Sequence, residues 1–202
     1  MSPELILTLF DRVGVFVFAI SGGIMAVRKD MDLFGIIVLA FLPAIGGGTL
    51  RDLILDQPVF WLSDTPTLIL AIAGGLTAFA FHRFLENFRP LRWADAFGMS
   101  LFAVTGAAKA MGLDHGLAVV LIMGALTASA GGLMRDVVAN EEPLLLKKDV
   151  YATAALLGAG VYFGLASFGL PETGAFIGGL AAAFTLRALA IIFQLSLPKS
   201  PF

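Results

Sequence analysis

The chain is a succession of apolar runs of roughly 20 residues, almost free of charge and separated by short charged or proline-containing breaks. Few folds accept that pattern. A helix rises about 1.5 Å per residue and satisfies its own backbone polar groups, so such a run spans the ~30 Å hydrocarbon core of a bilayer. A β-barrel needs strands of about ten residues alternating apolar and polar, and LILAIAGGLTAFAF (residues 68–81) does not alternate. Hydrophobic residues make up 58% of the chain and charged residues 14%, with a mean hydropathy of +0.92. The expectation is an all-α polytopic membrane protein, a single membrane domain over residues 1–202.

Seven spans are expected near 4–27, 33–55, 66–86, 94–111, 116–138, 150–169 and 173–195. Arg28 and Lys29, then Arg83, Arg89 and Arg92, then Lys147 and Lys148, and finally Lys199, all fall on one side. The positive-inside rule therefore places the N-terminus outside and the C-terminus in the cytoplasm. MSPELILTLFDR lacks the basic region and cleavage site of a signal peptide and reads as the start of the first span. A net charge of −2 with no basic stripe argues against a nucleic-acid partner. Without cysteine there is no disulfide, thiolate nucleophile or iron–sulfur cluster.

Sliding the sequence by 84 residues pairs Asp11 with Asp95, Gly14 with Gly98, Phe18 with Phe102 and Gly22 with Gly106. The same offset pairs Asp30 with Asp114, Gly47 and Gly48 with Gly131 and Gly132, and Arg51 and Asp52 with Arg135 and Asp136. Small residues coincide easily in membrane sequences, but charges at constant offset do not, so the chain is a duplication. Repeat one covers 4–87, repeat two covers 94–170, and the seventh helix, 173–195, is left over. Each repeat holds three spans, an odd number, so the second enters the membrane from the opposite side. Inverted triplets of this kind place an ion or substrate path at their interface.

The motif GGGTLRD (46–52) and its partner AGGLMRD (130–136) set the candidate site. Successive glycines cost a helix roughly 1 kcal/mol each relative to alanine and favour a kink. Gly46, Gly47 and Gly48 in the second span and Gly131 and Gly132 in the fifth would then break the helix where it lines water, or else let two helices approach closely. Arg51 lies about 27 Å along the second span and Asp11 about 10 Å down the first, so the two are within reach, with Arg135 and Asp95 as the mirror pair. Asp52 and Asp136 are alternative partners. The other reading has both arginines snorkelling to head groups. Ser21, Thr105, Thr49, Thr127 and Ser129 offer hydroxyls to a monovalent cation, or bond back to their own helices. Lys109, opposite Met25 in the repeat, either snorkels or tunes the charge of the path.

Enzymatic readings find little support: His82 and His115 fall in or near loops, no HExxH exists, and Ser21 has no histidine to activate it. No cofactor is expected.

The pattern D-x-x-G-x-x-x-F-A-x-S-G from Asp11 to Gly22, followed by GGGTLRD, DAFGMSLFAVTG and AGGLMRD, resembles the prokaryotic branch of the trimeric intracellular cation (TRIC) channels over nearly the whole chain. The resemblance implies a homotrimer in the membrane lipids of a bacterial inner (plasma) membrane. Each protomer would carry a pore conducting K+, with Na+ also permeant, gated at kinked glycine segments of the second and fifth helices. The same domain (UPF0126) has also been labelled a glycine transporter, and a secondary transporter for a small neutral amino acid is the rival reading.

Overall fold

The computed structural model describes residues 3–81, 88–146 and 150–196. Seven α-helices run in chain order among them: α1 (Pro3–Arg28), α2 (Leu33–Ile54), α3 (Thr65–Ala80), α4 (Phe88–Gly112), α5 (Leu117–Val138), α6 (Ala152–Ser167) and α7 (Glu172–Phe193), with one 3-10 turn, Phe60–Leu62, between α2 and α3. Four are long and apolar enough to cross a membrane, counting α1 from Thr8. At 16 residues each, α3 and α6 reach only about 24 Å. The fourth helix starts at Phe88, earlier than the expected 94, and carries its charges within the helix. His82, Arg83, Lys147, Lys148 and Lys199 lie outside the described residues.

The duplication is visible in the helix ends. Asp30, Asp56, Asp114 and Asn140 all adopt left-handed φ between 52° and 59°, a conformation that Asp and Asn tolerate because their short polar side chains bond locally. Around them the backbone closes with the six-to-one bond of a Schellman cap: Met31 N to Ala26 O and His115 N to Ala110 O in one pair of repeat positions, Gln57 N to Asp52 O and Glu141 N to Asp136 O in the other. Helices of both triplets therefore stop at matching places.

Packing follows the same symmetry. Helix α1 packs on α2 and α3 as α4 packs on α5 and α6, while α1 meets α4 and α2 meets α5 across the pseudo-two-fold axis. At the α1–α4 crossing, Gly14 admits the Phe102 ring and Gly98 admits the Phe18 ring, and the two rings meet edge-on at 5.1 Å. Helix α7 breaks the symmetry by packing on α6 and α4. Gly158 accordingly faces Ala183 of α7, whereas its repeat partner Gly74 faces Ala19 of α1. Large apolar side chains such as Phe34, Ile122 and Ile192 point outward from the bundle, as expected where the surrounding solvent is lipid.

Helices α2 and α5 are helical without interruption through Gly46–Gly48 and Gly131–Gly132. The helices are not interrupted there, and close approach is what the glycines provide. A Cβ on Gly47 would overlap the Thr127 carbonyl oxygen, and one on Gly131 would lie 2.6 Å from the Pro43 carbonyl oxygen. Pro43 and Thr127 are themselves repeat partners, so the two helices cross at a reciprocal glycine-to-backbone contact. Gly46 is filled by the Met134 side chain and Gly48 by the Phe60 ring.

Candidate functional site

Two charged clusters form, one toward each face of the bundle, and each is built on a neighbouring Arg–Asp pair. In the cluster toward the N-terminal face, Arg51 Nε donates to Asp52 Oδ1 at 2.8 Å, and Lys109 Nζ reaches the same oxygen at 2.7 Å. The second oxygen, Oδ2, accepts from the backbone N–H of Phe60 at 2.9 Å. In the other, Arg135 Nε donates to Asp136 Oδ1 at 2.7 Å, and Asp136 Oδ2 accepts from Leu144 N at 2.9 Å. Phe60 and Leu144 stand 84 residues apart, so this carboxylate latch is duplicated as well.

The expected partners sort out differently at the two ends. Arg135 Nη1 reaches Asp95 Oδ1 at 2.8 Å and also donates to the Ser21 hydroxyl. The expected Arg135–Asp95 pair is thus present, with Asp136 as a second anion. Arg51, by contrast, takes Asp52, while Asp11 stands next to Thr105 and within electrostatic range of Arg51, Lys109 and Asp52. Lys109 replaces the symmetry expected of Met25 and supplies the extra cation there.

Snorkelling does not describe either arginine. Arg51 is 2% exposed, Asp52 0%, Arg135 0% and Asp136 1%. Buried charges are tolerated because each guanidinium meets a carboxylate at hydrogen-bond distance. Among the hydroxyls, Thr49, Thr127 and Ser129 bond back to the carbonyls of Ile45, Met123 and Ala125, the local alternative open to such residues in helices. Ser21 instead joins a charged cluster directly.

A polar cavity of about 340 Å³ opens at the N-terminal end, lined by Thr8, Asp11, Arg12, Phe60, Asp64 and Thr67. Arg12 Nη2 pairs with Asp64 Oδ1 at 2.9 Å, with both side chains roughly a third to a quarter exposed, and Thr67 donates its hydroxyl to Asp64. Burial works against ionisation of Asp64, but the bonds from Arg12 and Thr67 and the guanidinium charge outweigh it and hold the carboxyl below its ordinary range. Since the folded value is depressed, the contribution of Asp64 to stability is present above the unfolded pKa of 3.8 and is lost as pH falls through the folded value. Asp64→Asn is therefore expected to lower the melting temperature slightly at pH 7, by an amount that shrinks once wild type is measured below about pH 3. An undiminished difference at low pH would count against the tether.

Sequence reasoning missed several members of the site. Phe60 and Leu144 sit in connections whose hydropathy says little, although their common spacing from Asp52 and Asp136 was a usable signal. Tyr151 lies beside Asp95 and under Arg187, whose guanidinium is 5.0 Å from the ring centre and donates to Val150 O. Arg187 is fully buried on α7, outside the repeat, so the duplication did not point to it.

A family model described as "Glycine transporter" matches the chain twice, over residues 8–83 and 92–167, at the same 84-residue offset. The UPF0126 inner membrane protein YadS of Escherichia coli is 36% identical over 93% of this chain and 93% of its own. A UPF0126 membrane protein of Vibrio cholerae is 38% identical over 96% of this chain and 82% of its own. Among solved structures, a TRIC trimeric intracellular cation channel orthologue from Rhodobacter sphaeroides superposes with a TM-score of 0.90 at 38% identity, covering 94% of this chain and 99% of that one. A second, described by its conductance as a TRIC cation channel, superposes at 0.87 with 40% identity, over 96% of this chain and 97% of its own.

Proposed function

The chain belongs to the bacterial membrane-protein family described as glycine transporter, whose solved relatives are TRIC cation channels, and from that premise we propose that it conducts monovalent cations, K+ and also Na+, across the inner membrane. The observation that carries this reading is the pair of buried Arg–Asp clusters, one toward each face, supplied by the two copies of an inverted repeat, with a cavity beside one of them whose lining residue Phe60 lies against Arg51. Ionisable groups buried inside a membrane bundle mark ion routes more often than packing. We take the N-terminus, and with it the cavity, to face outside, a reading that the gathering of basic residues on one side of the sequence supports. By analogy with the trimeric relatives the working unit is a homotrimer with one path per protomer.

On this reading each cluster is a closed constriction. An arginine in a cation path repels the ion unless a carboxylate neutralises it, and the bonds to Asp52 and Asp136 do so while holding the surrounding turn in place. Opening requires that the pairs separate and water enter; moving a unit charge through the full field is worth about 2.3 kcal/mol per 100 mV, enough to bias such a step. Arg51→Ala leaves Asp52 paired with Lys109 and should yield folded protein with a raised open probability. Unchanged gating and selectivity would remove Arg51 from the gate.

The deciding experiment is purified protein in planar bilayers under a K+ gradient. Discrete current steps reversing near the K+ equilibrium potential support the channel. Saturable uptake of labelled glycine by proteoliposomes, with no current steps, would establish the carrier instead.

A further inference from the structure

Phe60 is placed by its backbone bond to Asp52 and by packing against Gly48 and the main core, yet its ring is only half-buried. Its half-buried ring forms one wall of the 340 Å³ cavity that Asp11 also lines. The same ring lies against Gly48, where a Cβ would come within 2.6 Å of it, and 5.7 Å from the Arg51 guanidinium. It therefore touches both the open cavity and the buried charged cluster. Resting on the channel reading above, we propose that Phe60 is the plug of the N-terminal entrance, and that its ring sets the largest cation admitted from that end.

The turn that carries the ring is held by polar latches as well as by the ring's contact with the edge of the core. Phe60 N donates to Asp52 Oδ2 at 2.9 Å, and Trp61 Nε1 donates to Thr49 Oγ1 at 2.8 Å. On the far side of the turn, Asp64 is tied to Arg12. Leu62 and Ser63 beside them are exposed. Each of these bonds is only part-buried and none belongs to a helix's own ladder, so the turn is able to swing without unfolding a helix. The latch on Asp52 also couples the plug to the cluster: the carboxylate that neutralises Arg51 and Lys109 is the one that holds Phe60. A shift of either cation that drags Asp52 loosens the ring.

The repeat partner shows what a non-moving version looks like. Leu144 makes the equivalent bond to Asp136, but its side chain is 4% exposed and packed in the main hydrophobic core with Tyr151 and Ala128. Both side chains meet the same core cluster, but Leu144 is buried within it whereas the Phe60 ring packs at its edge with one side on the cavity. A bare apolar constriction excludes hydrated ions by its width and by dewetting.

The absence of cysteine makes the test clean, because Phe60→Cys introduces a single thiol per chain. K+ current is recorded from this variant before and after a cationic methanethiosulfonate reagent and a neutral one of similar size, applied from the cavity side, together with the permeability of methylammonium relative to K+. Removing the ring is expected to raise unitary conductance and relative methylammonium permeability at least about two-fold, and modification by the cationic reagent to cut the current by more than half. Wild-type conductance, wild-type relative permeability and insensitivity to both reagents would overturn the plug. Phe60→Leu serves as the second variant where Phe60→Cys does not assemble: it keeps an apolar side chain without the ring, and unchanged methylammonium permeability in it is equally decisive against the proposal. A wild type that passes no K+ current at all would instead overturn the channel reading, so the two failures are distinguishable.

Discussion

Replacing Arg135 with alanine is expected to remove most of the folded protein. Arg135 is fully buried and binds Asp95, Asp136 and Ser21 simultaneously. Without it, two carboxylates face each other in a region that the bundle shields from water, and removing one partner of a buried ionic group costs about 3–5 kcal/mol. That is a large share of the roughly 5–15 kcal/mol by which domains are stable. The measurement is the yield and melting temperature of detergent-extracted protein. A triple variant, Arg135→Met with Asp95→Asn and Asp136→Asn, separates ionic imbalance from lost packing, since an uncharged set of similar volume is expected to recover much of the stability. An Arg135→Ala protein as stable as wild type would mean that the cluster is hydrated. The contrast with Arg51 is instructive: Lys109 keeps Asp52 paired when Arg51 is lost, so the two repeat partners are expected to fail differently, one in folding and the other in gating.

The second large effect belongs to the α2–α5 crossing. Gly47 and Gly131 each face a carbonyl of the opposite helix, Thr127 and Pro43 respectively, closely enough that an added methyl group overlaps it. Backbone cannot step aside as a flexible side chain can, so the helices must separate, and overpacking of this kind costs about 1–3 kcal/mol per site. Gly47→Val and Gly131→Val are expected to destabilise by similar amounts, as the reciprocal contact requires, and the double variant by more than either. Gly164→Ala provides the control. Nothing lies within 4 Å of a Cβ built at Gly164, and alanine there should be neutral or favourable by up to about 1 kcal/mol, its helix propensity being higher. Melting temperatures of the four proteins settle the matter; equal effects at Gly47 and Gly164 would sink the close-approach account.

The glycines show where reading the chain alone falls short. A glycine run lowers helix propensity whether it breaks the helix or lets another backbone in, so GGGTLRD was open to both outcomes. Only the position of the Thr127 carbonyl decides between them. Partner choice for Arg51 was hidden for a related reason. Distance along the spans put Asp11 within reach of Arg51 and left Asp52 as an alternative; adjacent residues on a helix do not normally face each other, yet a long guanidinium side chain lets Nε reach Asp52. Burial supplies the reason for that pairing, because a desolvated cation must take whichever anion lies at hydrogen-bond distance.

What the chain determines unaided is whatever depends on order and periodicity. Apolar runs of bilayer length, an odd number of them in each copy, and a constant 84-residue offset together required membrane helices in two inverted triplets and placed a charged pair toward each face. Those properties survive without any knowledge of distance. Tertiary structure decided which carboxylate neutralises which arginine, that the glycines are contact points between backbones, and that Phe60 lines a cavity while Leu144 is buried in the core. Each of these turns on a separation of a few ångströms between residues far apart in the chain, and at that scale hydrogen bonding and steric overlap change sign over distances that sequence spacing does not encode.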